Sequence, residues 1–252
     1  MLLLLDIGNT HTHLGVFDGK RIFRQTDVLT RDWSVSNVRS QLWRFVGHRP
    51  LDGAALCSVV PRCTPILKRG IHQQWAVRCL ELTPSSIRGI GIDYPKPRTI
   101  GPDRLANAVA ARRLFGAPVV VVDFGTAVTF DVVNSKGKYV GGIIAPGLAA
   151  MTNYLHEKTA LLPRIKIREP KAIVGKSTEQ AMLVGAVHGY RGLVRELIQK
   201  LKFELQAPHL PVVATGGYGE LLAARLPEIT AVDPLLTLKG LQFVWESTNS
   251  AE

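Results

Sequence analysis

Leu2-Leu-Leu-Leu-Asp-Ile-Gly8, at the start of the chain, is repeated in kind by Val119-Val-Val-Val-Asp-Phe-Gly125. Each is an apolar run that stops at an acid and a glycine, Asp6 with Gly8 and Asp123 with Gly125. Small residues follow at once, Asn9-Thr10 in one copy and Thr126-Ala127 in the other. A second alternating run then reaches a turn, Phe17-Asp18-Gly19-Lys20 in the first copy and Asn134-Ser-Lys-Gly-Lys138 in the second. Asp6 and Asp123 are 117 residues apart and Gly19 and Gly137 are 118 apart, so one residue slips within the hairpin. Two copies of strand, acid, glycine turn and strand predict two similar domains facing each other across a cleft, with a carboxylate from each at its floor.

Working outward, 252 residues suffice for two domains with full cores. A composition 46% hydrophobic and 20% charged is that of a globular protein rather than a disordered one. The Leu2–Leu5 run is too short for a signal-peptide core, and no apolar stretch approaches the roughly 20 residues of a membrane span. The expected location is the cytoplasm, with no membrane partner. Cys57, Cys63 and Cys79 form no CxxC pair and read as reduced thiols. The net charge of +11 favours anionic partners. No long basic run and no basic stretch interleaved with aromatics is present, so small anions fit better than nucleic acid.

Along the first half, strands are expected at 2–7, 12–17 and 21–26. A helix should run from Trp33 to Val46, with Val35, Val38, Leu42 and Phe45 on one face. A strand from Leu51 to Val60 precedes a helix opened by Pro61, a short strand lies at 75–82, and 84–101 reads as a long loop. Pro102 is preorganised for a first helical turn, and Gly116 stops the Ala-rich helix that follows. The second half repeats the order, with strands at 118–123, to about 133 and at 138–144, and a helix near 147–157. Ser177-Thr-Glu-Gln180 has a capping-box pattern that opens a helix to about 201. A strand at 211–214, a Gly216-Gly217 turn and helices at 220–226 and 233–244 complete the chain. The expected domains are 1–116 and 117–252.

Asp6-Ile-Gly-Asn-Thr10 has the parts of a phosphate loop: Gly8 admits close backbone approach, Asn9 and Thr10 offer donors, and Asp6 can hold Mg²⁺ directly or through water. His11 and His13 share a strand face, which suits either a metal or hydrogen bonding, and no third ligand is evident. Gly175-Lys176-Ser177 looks like the end of a P-loop, but Pro170 stands where the first glycine is required. Thr215-Gly216-Gly217 reads equally as a tight turn or as nucleotide contact. In Gly101-Pro-Asp-Arg104, Asp103 falls in a first helical turn, where an ionised carboxylate is stabilised and can accept a proton. Arg104 beside it offers a fork for an acidic group, or serves simply as an exposed surface residue.

The phosphate-loop segment resembles that of the actin, Hsp70 and sugar-kinase superfamily. Asp6-Ile-Gly-Asn-Thr10, Ser58-Val-Val-Pro61, Asp93-Tyr-Pro95, Gly101-Pro-Asp-Arg-Leu-Ala-Asn107, Asp123-Phe-Gly-Thr126, Gly141-Gly-Ile-Ile-Ala-Pro-Gly147 and Ala214-Thr-Gly-Gly217 occur in that order. Together they resemble the type III pantothenate kinase family, also called the Bvg accessory factor family, from about residue 2 to 244. His11-Thr12-His13 departs from the pattern, since the family more often has Asn or Arg and a Lys there.

The resemblance implies an α/β fold of two tandem ribonuclease H-like (actin-like ATPase) domains facing each other across a nucleotide cleft. It implies transfer of the γ-phosphoryl of ATP to the 4′-hydroxyl of pantothenate, the first step of coenzyme A synthesis. Asp6, Ile7, Gly8, Asn9, Thr10, His11, Thr12 and His13 would form the ATP-phosphate loop, with Asp6 serving Mg²⁺ and Thr126 a further ATP contact. Asp103 matches the catalytic base. Tyr94, Gly101, Pro102, Asp103 and Arg104 match pantothenate contacts, with Arg104 a candidate for its carboxylate. Asp123 matches the ligand of a monovalent cation, K⁺ or NH₄⁺. Thr178 matches a pantothenate contact contributed across a homodimer, and Thr159 is a second candidate. Two other readings remain: a kinase of the same superfamily acting on another hydroxyl, and a non-enzymatic nucleotide-binding transcriptional regulator, which the positive charge alone supports.

Overall fold

The computed structural model describes residues 1–249. Its contacts divide the chain into one unit of Met1–Leu114 with the chain end from Leu235, and a second of Phe115–Pro234. In the first unit the elements are β1 (Leu2–Ile7), β2 (His11–Phe17), β3 (Ile22–Leu29), α1 (Val38–Val46), β4 (Gly53–Ser58), α2 (Thr64–Trp75), β5 (Cys79–Glu81), β6 (Gly91–Ile92) and α3 (Pro102–Phe115). The second runs through β7 (Val119–Phe124), β8 (Ala127–Val133), β9 (Lys138–Pro146), α4 (Leu148–Lys158), α5 (Thr178–Glu204), β10 (Val212–Thr215), α6 (Gly219–Ala223) and β11 (Ala231–Val232). The last helix is α7 (Leu236–Asn249). Among the described residues, no helix is long and apolar enough to cross a membrane.

The two units share one topology. The first sheet has the order β3-β2-β1-β4-β5, and the strands of the second unit neighbour one another in the order β9-β8-β7-β10-β11. In both, the first strand is antiparallel to the second and parallel to the fourth. The repeat read from residues 2–8 and 119–125 is therefore structural.

β1 is apolar at successive positions because both its faces are covered. Leu3, Leu5 and Ile7 join Leu14, Val16 and Leu56 in a core closed by Leu42 and Phe45 of α1 and Leu67 and Ile71 of α2. Full burial of each such side chain is worth about 1.5–3 kcal/mol. The opposite face carries Leu2, Leu4 and Asp6, and α7 packs on it. Gly15 and Gly53 make room there: a Cβ on Gly15 would lie 3.0 Å from Leu238, and one on Gly53 would collide with the Trp245 ring. In the second unit, Val120, Val122 and Phe124 pack with Val128, Phe130 and Val212 against Tyr190, Val194 and Ile198 of α5. Asp123 alternates to the other face, as Asp6 does in its own sheet.

The division of the chain departs from the expected 117–252 span, because α7 belongs with the first unit. Small residues allow this. Thr237 donates to Asn107 of α3 at 2.7 Å, and Gly240 is packed on the backbone of Ala106 so closely that a Cβ would strike its carbonyl. The helix expected from Trp33 also begins later. A 3₁₀ turn occupies Thr30–Asp32, and the Trp33 indole N–H donates to Thr12 Oγ1 at 3.0 Å. Asn37 closes a turn by accepting from the Ser34 N–H and donating to the Asp32 carbonyl, so Val35 stays exposed rather than on the apolar face. Pro61 likewise opens a turn rather than α2, whose first residue is Thr64.

Candidate active site

Four chemistry-bearing side chains line up across the first sheet. Asp6 pairs with His13 on β2 and with Cys57 on β4, and His13 pairs with Asp27 on β3. Directly paired residues share a face, so Asp27, His13, Asp6 and Cys57 form one row across the sheet. The Cys57 Sγ–H donates to Asp6 Oδ1 at 3.3 Å. Burial, then the negative charges of Asp6 and Asp103, push the Cys57 thiol well above its ordinary range. It therefore remains a protonated donor at neutral pH and orients the Asp6 carboxylate.

The loop after β1 is tightly built. The Gly8 N–H donates to the His11 carbonyl at 3.0 Å, and a Cβ on Gly8 would lie 2.9 Å from that same oxygen. The loop is anchored from below by Thr30. Its hydroxyl donates to the Gly8 carbonyl at 2.7 Å and lies 3.1 Å from Thr12 Oγ1, while its N–H donates to the Thr10 carbonyl at 3.0 Å. Thr12, Thr30 and Trp33 are all buried. Neither Thr30 nor Cys57 was identifiable from sequence as part of this arrangement: a lone threonine or cysteine in a strand carries no local signal. Asn9, Thr10 and His11 are exposed at the surface of the loop.

Asp103 sits in the first turn of α3, as its place after Gly101-Pro102 predicts. A Cβ on Gly101 would come 2.5 Å from Asp103 Oδ1, so only glycine leaves that oxygen its space. The Arg104 N–H donates to Asp103 Oδ1 at 2.9 Å. Burial raises the Asp103 carboxyl above its ordinary value, outweighing the lowering by that N–H and by the Arg104 charge. Asp103 is also close enough to bear on the Cys57 thiol, so Asp6, Cys57 and Asp103 are neighbours. Ser58 beside them accepts from the Val60 N–H at 3.1 Å and from Thr64 Oγ1 at 2.7 Å, which fixes the Ser58-Val-Val-Pro61 turn. Tyr94 is 38% exposed on the segment between β6 and α3.

In the second unit, Asp123 is flanked by Thr129 on β8 and buried Thr215 on β10. Gly216 follows with φ +84°, where L residues are strained, and a Cβ there would meet Asp123 Oδ1 at 2.5 Å. The Thr126 carbonyl accepts from the Gly147 N–H at 3.2 Å, and a Cβ on Gly147 would strike that carbonyl. Asp123, Gly125-Thr126, Gly147 and Thr215-Gly216 thus form one cradle of carboxylate and backbone oxygens. Thr178 is the exposed first residue of α5, after Ser177, whose Oγ accepts from the Gln180 N–H at 3.2 Å as the capping pattern predicts. Thr159 is also exposed, and its hydroxyl donates to the Leu155 carbonyl at the end of α4.

The donor sets suit hard cations. Among the described residues, no group of three or more His, Cys, Asp or Glu could hold a metal. That fits Mg²⁺, which takes one or two carboxylates and completes its shell with water and phosphate oxygens. The His11 and His13 rings are 6.3 Å apart, and His13 Nδ1 is held by Asp27 at 2.6 Å.

A family model for type III pantothenate kinase matches residues 2–200. The type III pantothenate kinase of Akkermansia muciniphila is 47% identical over 95% of this chain and 96% of its own length. That of Methylacidiphilum infernorum is 45% identical over 97% and 88%, and that of Geobacter sulfurreducens 39% over 98% of each. Among solved structures, a Baf family protein of Campylobacter jejuni described as a transcriptional activator superposes with TM-score 0.62 at 20% identity, over 98% of this chain and 99% of that one. Component A of the Acidaminococcus fermentans (R)-2-hydroxyglutaryl-CoA dehydratase gives 0.52 at 14% identity, over 100% and 99%. At such identities these neighbours speak to the fold alone, the actin-like arrangement of two tandem ribonuclease H-like domains.

Proposed function

The chain belongs to the type III pantothenate kinase family, and we propose that its Asp103 is the general base of the reaction that membership entails. The protein is a kinase that transfers the γ-phosphoryl of ATP to the 4′-hydroxyl of pantothenate, giving 4′-phosphopantothenate for coenzyme A synthesis. The reading of Asp103 rests above all on one observation. Its carboxylate is fixed in the first turn of α3, with Oδ1 fitted against Gly101 and held by the Arg104 N–H at 2.9 Å, and burial there raises its proton affinity. A base with affinity raised toward the working pH is better matched to take a hydroxyl proton than an exposed carboxylate.

Phosphoryl transfer asks a protein chiefly to position its reactants and neutralise charge. The Gly8–His13 loop, stiffened by Thr30, presents its backbone to the donor phosphates, and Asp6, steadied by Cys57, is the carboxylate for Mg²⁺. When bound there, Mg²⁺ supplies charge neutralisation at the phosphate oxygens. Thr126 is the further ATP contact, and Asp123 with the carbonyls around Gly125 and Gly147 suits K⁺ or NH₄⁺. Arg104, one residue on from the base, meets the pantothenate carboxylate, with Tyr94, Gly101 and Pro102 shaping that subsite. The loop glycines and the base thus divide the work between donor and acceptor.

Thr178, with Thr159, contacts pantothenate from the partner subunit of a homodimer. Support for the dimer is the apolar surface of α4 and the segment after it. Met151, Tyr154 and Leu155 are exposed on α4, and Leu161, Ile173 and Val174 after it, with Leu161 89% exposed. Exposed apolar side chains in such number mark an interaction surface.

Incubation with ATP, Mg²⁺, K⁺ and pantothenate, followed by mass detection of phosphopantothenate, tests the reading. Product is expected in the full mixture, with loss on omission of Mg²⁺ and a fall on replacing K⁺ by Na⁺. Product formation indifferent to the K⁺ swap would remove the cation role from Asp123.

A further inference from the structure

Between α4 and α5, residues 159–177 form a strap without regular secondary structure. Its two ends are fixed locally. Thr159 caps α4, and its Oγ1 accepts from the Leu162 N–H at 3.3 Å; the Lys176 N–H donates to Gln180 Oε1 at 2.9 Å. The middle is held differently. Ile167 packs against the apolar core, and Glu169 receives a two-pronged bond from Arg191 of α5, Nη1 to Oε1 at 3.0 Å and Nη2 to Oε2 at 2.7 Å. Arg191 is 3% exposed and also donates to the carbonyls of Leu221 and Leu222 in α6, at 2.6 and 3.2 Å. Arg225, just past α6, approaches Glu169 Oε1 at 3.0 Å from the solvent side.

A planar guanidinium with both edges committed is a geometric device more than a source of stability, because burying the guanidinium costs nearly as much as its attraction to the half-buried Glu169 returns. It joins three pieces: the strap, the helix that Thr178 begins, and the helix that follows the Gly216 turn. We propose that the Glu169–Arg191 pair is a positioning latch that keeps the strap ordered, so that pantothenate meets a preformed contact at Thr178. This rests on the reading of Thr178 given above. Arg191 holds the Glu169 carboxyl below its ordinary value, with smaller help from Arg225 and His188, so the latch stays ionised and closed across the neutral range.

The experiment compares Glu169→Gln, Arg225→Met and Thr178→Val for kcat, the KM of each substrate, and hydrogen exchange over 159–177. Glu169→Gln keeps the shape and removes the charge. The expected result is a pantothenate KM about tenfold higher, the factor that follows if the ordered strap falls to about a tenth of the population. Its kcat and ATP KM should change little, while exchange in the strap accelerates. Arg225→Met, at an exposed site, should change pantothenate KM less than about twofold. A Glu169→Gln enzyme that loses thermal stability but keeps the wild-type pantothenate KM overturns the latch. If Thr178→Val leaves that KM unchanged while Glu169→Gln raises it, the Thr178 reading is what fails.

Discussion

At the start of α3 the Asp103 carboxylate feels opposed influences. The helix end and Arg104 favour its charge, burial opposes it, and burial prevails. The folded state therefore holds this proton more tightly than the unfolded chain does. Its effect on stability is least adverse below the ordinary carboxylate range. Stability is lost as pH rises through the raised value, and the full cost stands at neutral pH. Asp103→Asn should accordingly lose about 10²- to 10⁴-fold in kcat while melting at a higher temperature than wild type at neutral pH. Calorimetry beside steady-state kinetics checks both halves, and a variant that turns over normally would remove Asp103 from the base role. For the same reason, kcat of the wild-type enzyme should rise with pH as Asp103 ionises.

Among elements, the β1–β2 loop depends on a residue far from it in sequence. Thr30 spends its hydroxyl on Gly8 and Thr12 inside the core of the first unit. Thr30→Val keeps the shape but takes the donor from the half-buried Gly8 carbonyl, while Thr12 keeps the Trp33 indole N–H, at about 1–3 kcal/mol. The loop should loosen, raising the KM for ATP more than that for pantothenate, and hydrogen exchange at residues 8–12 should quicken. α7 plays a comparable part for α3. Because Gly240 lies on the Ala106 backbone, Gly240→Val must push the two helices apart, at roughly 1–3 kcal/mol or more. Displacement of α3 moves Asp103, so kcat should fall beyond what the lowered melting temperature explains.

The whole molecule carries an apolar surface on α4 and the strap that a lone chain would leave in water. Tyr154 is 61% exposed on α4. Tyr154→Glu should therefore leave the fold intact, shift the protein to monomer by light scattering, and raise the pantothenate KM by removing the partner's Thr178. A wild-type chain already monomeric at micromolar concentration would overturn this reading of the surface.

By itself the sequence determined the repeated strand–acid–glycine–strand unit, the order of the elements apart from the short strands β6 and β11, and the placing of Asp103 in a first helical turn, and its ordered motifs carried the family. These rest on local rules: apolar runs, turn glycines, and proline at a helix start, each readable within a few residues. Tertiary structure alone decided that α7 returns to the first unit, that Thr30 and Cys57 support the β1–β2 loop and Asp6, and that Glu169 meets Arg191. Each of these joins residues distant in the chain through a packed face or a shared hydrogen bond. Such pairings are set by which surfaces come together on folding, a choice no local pattern of residue types encodes.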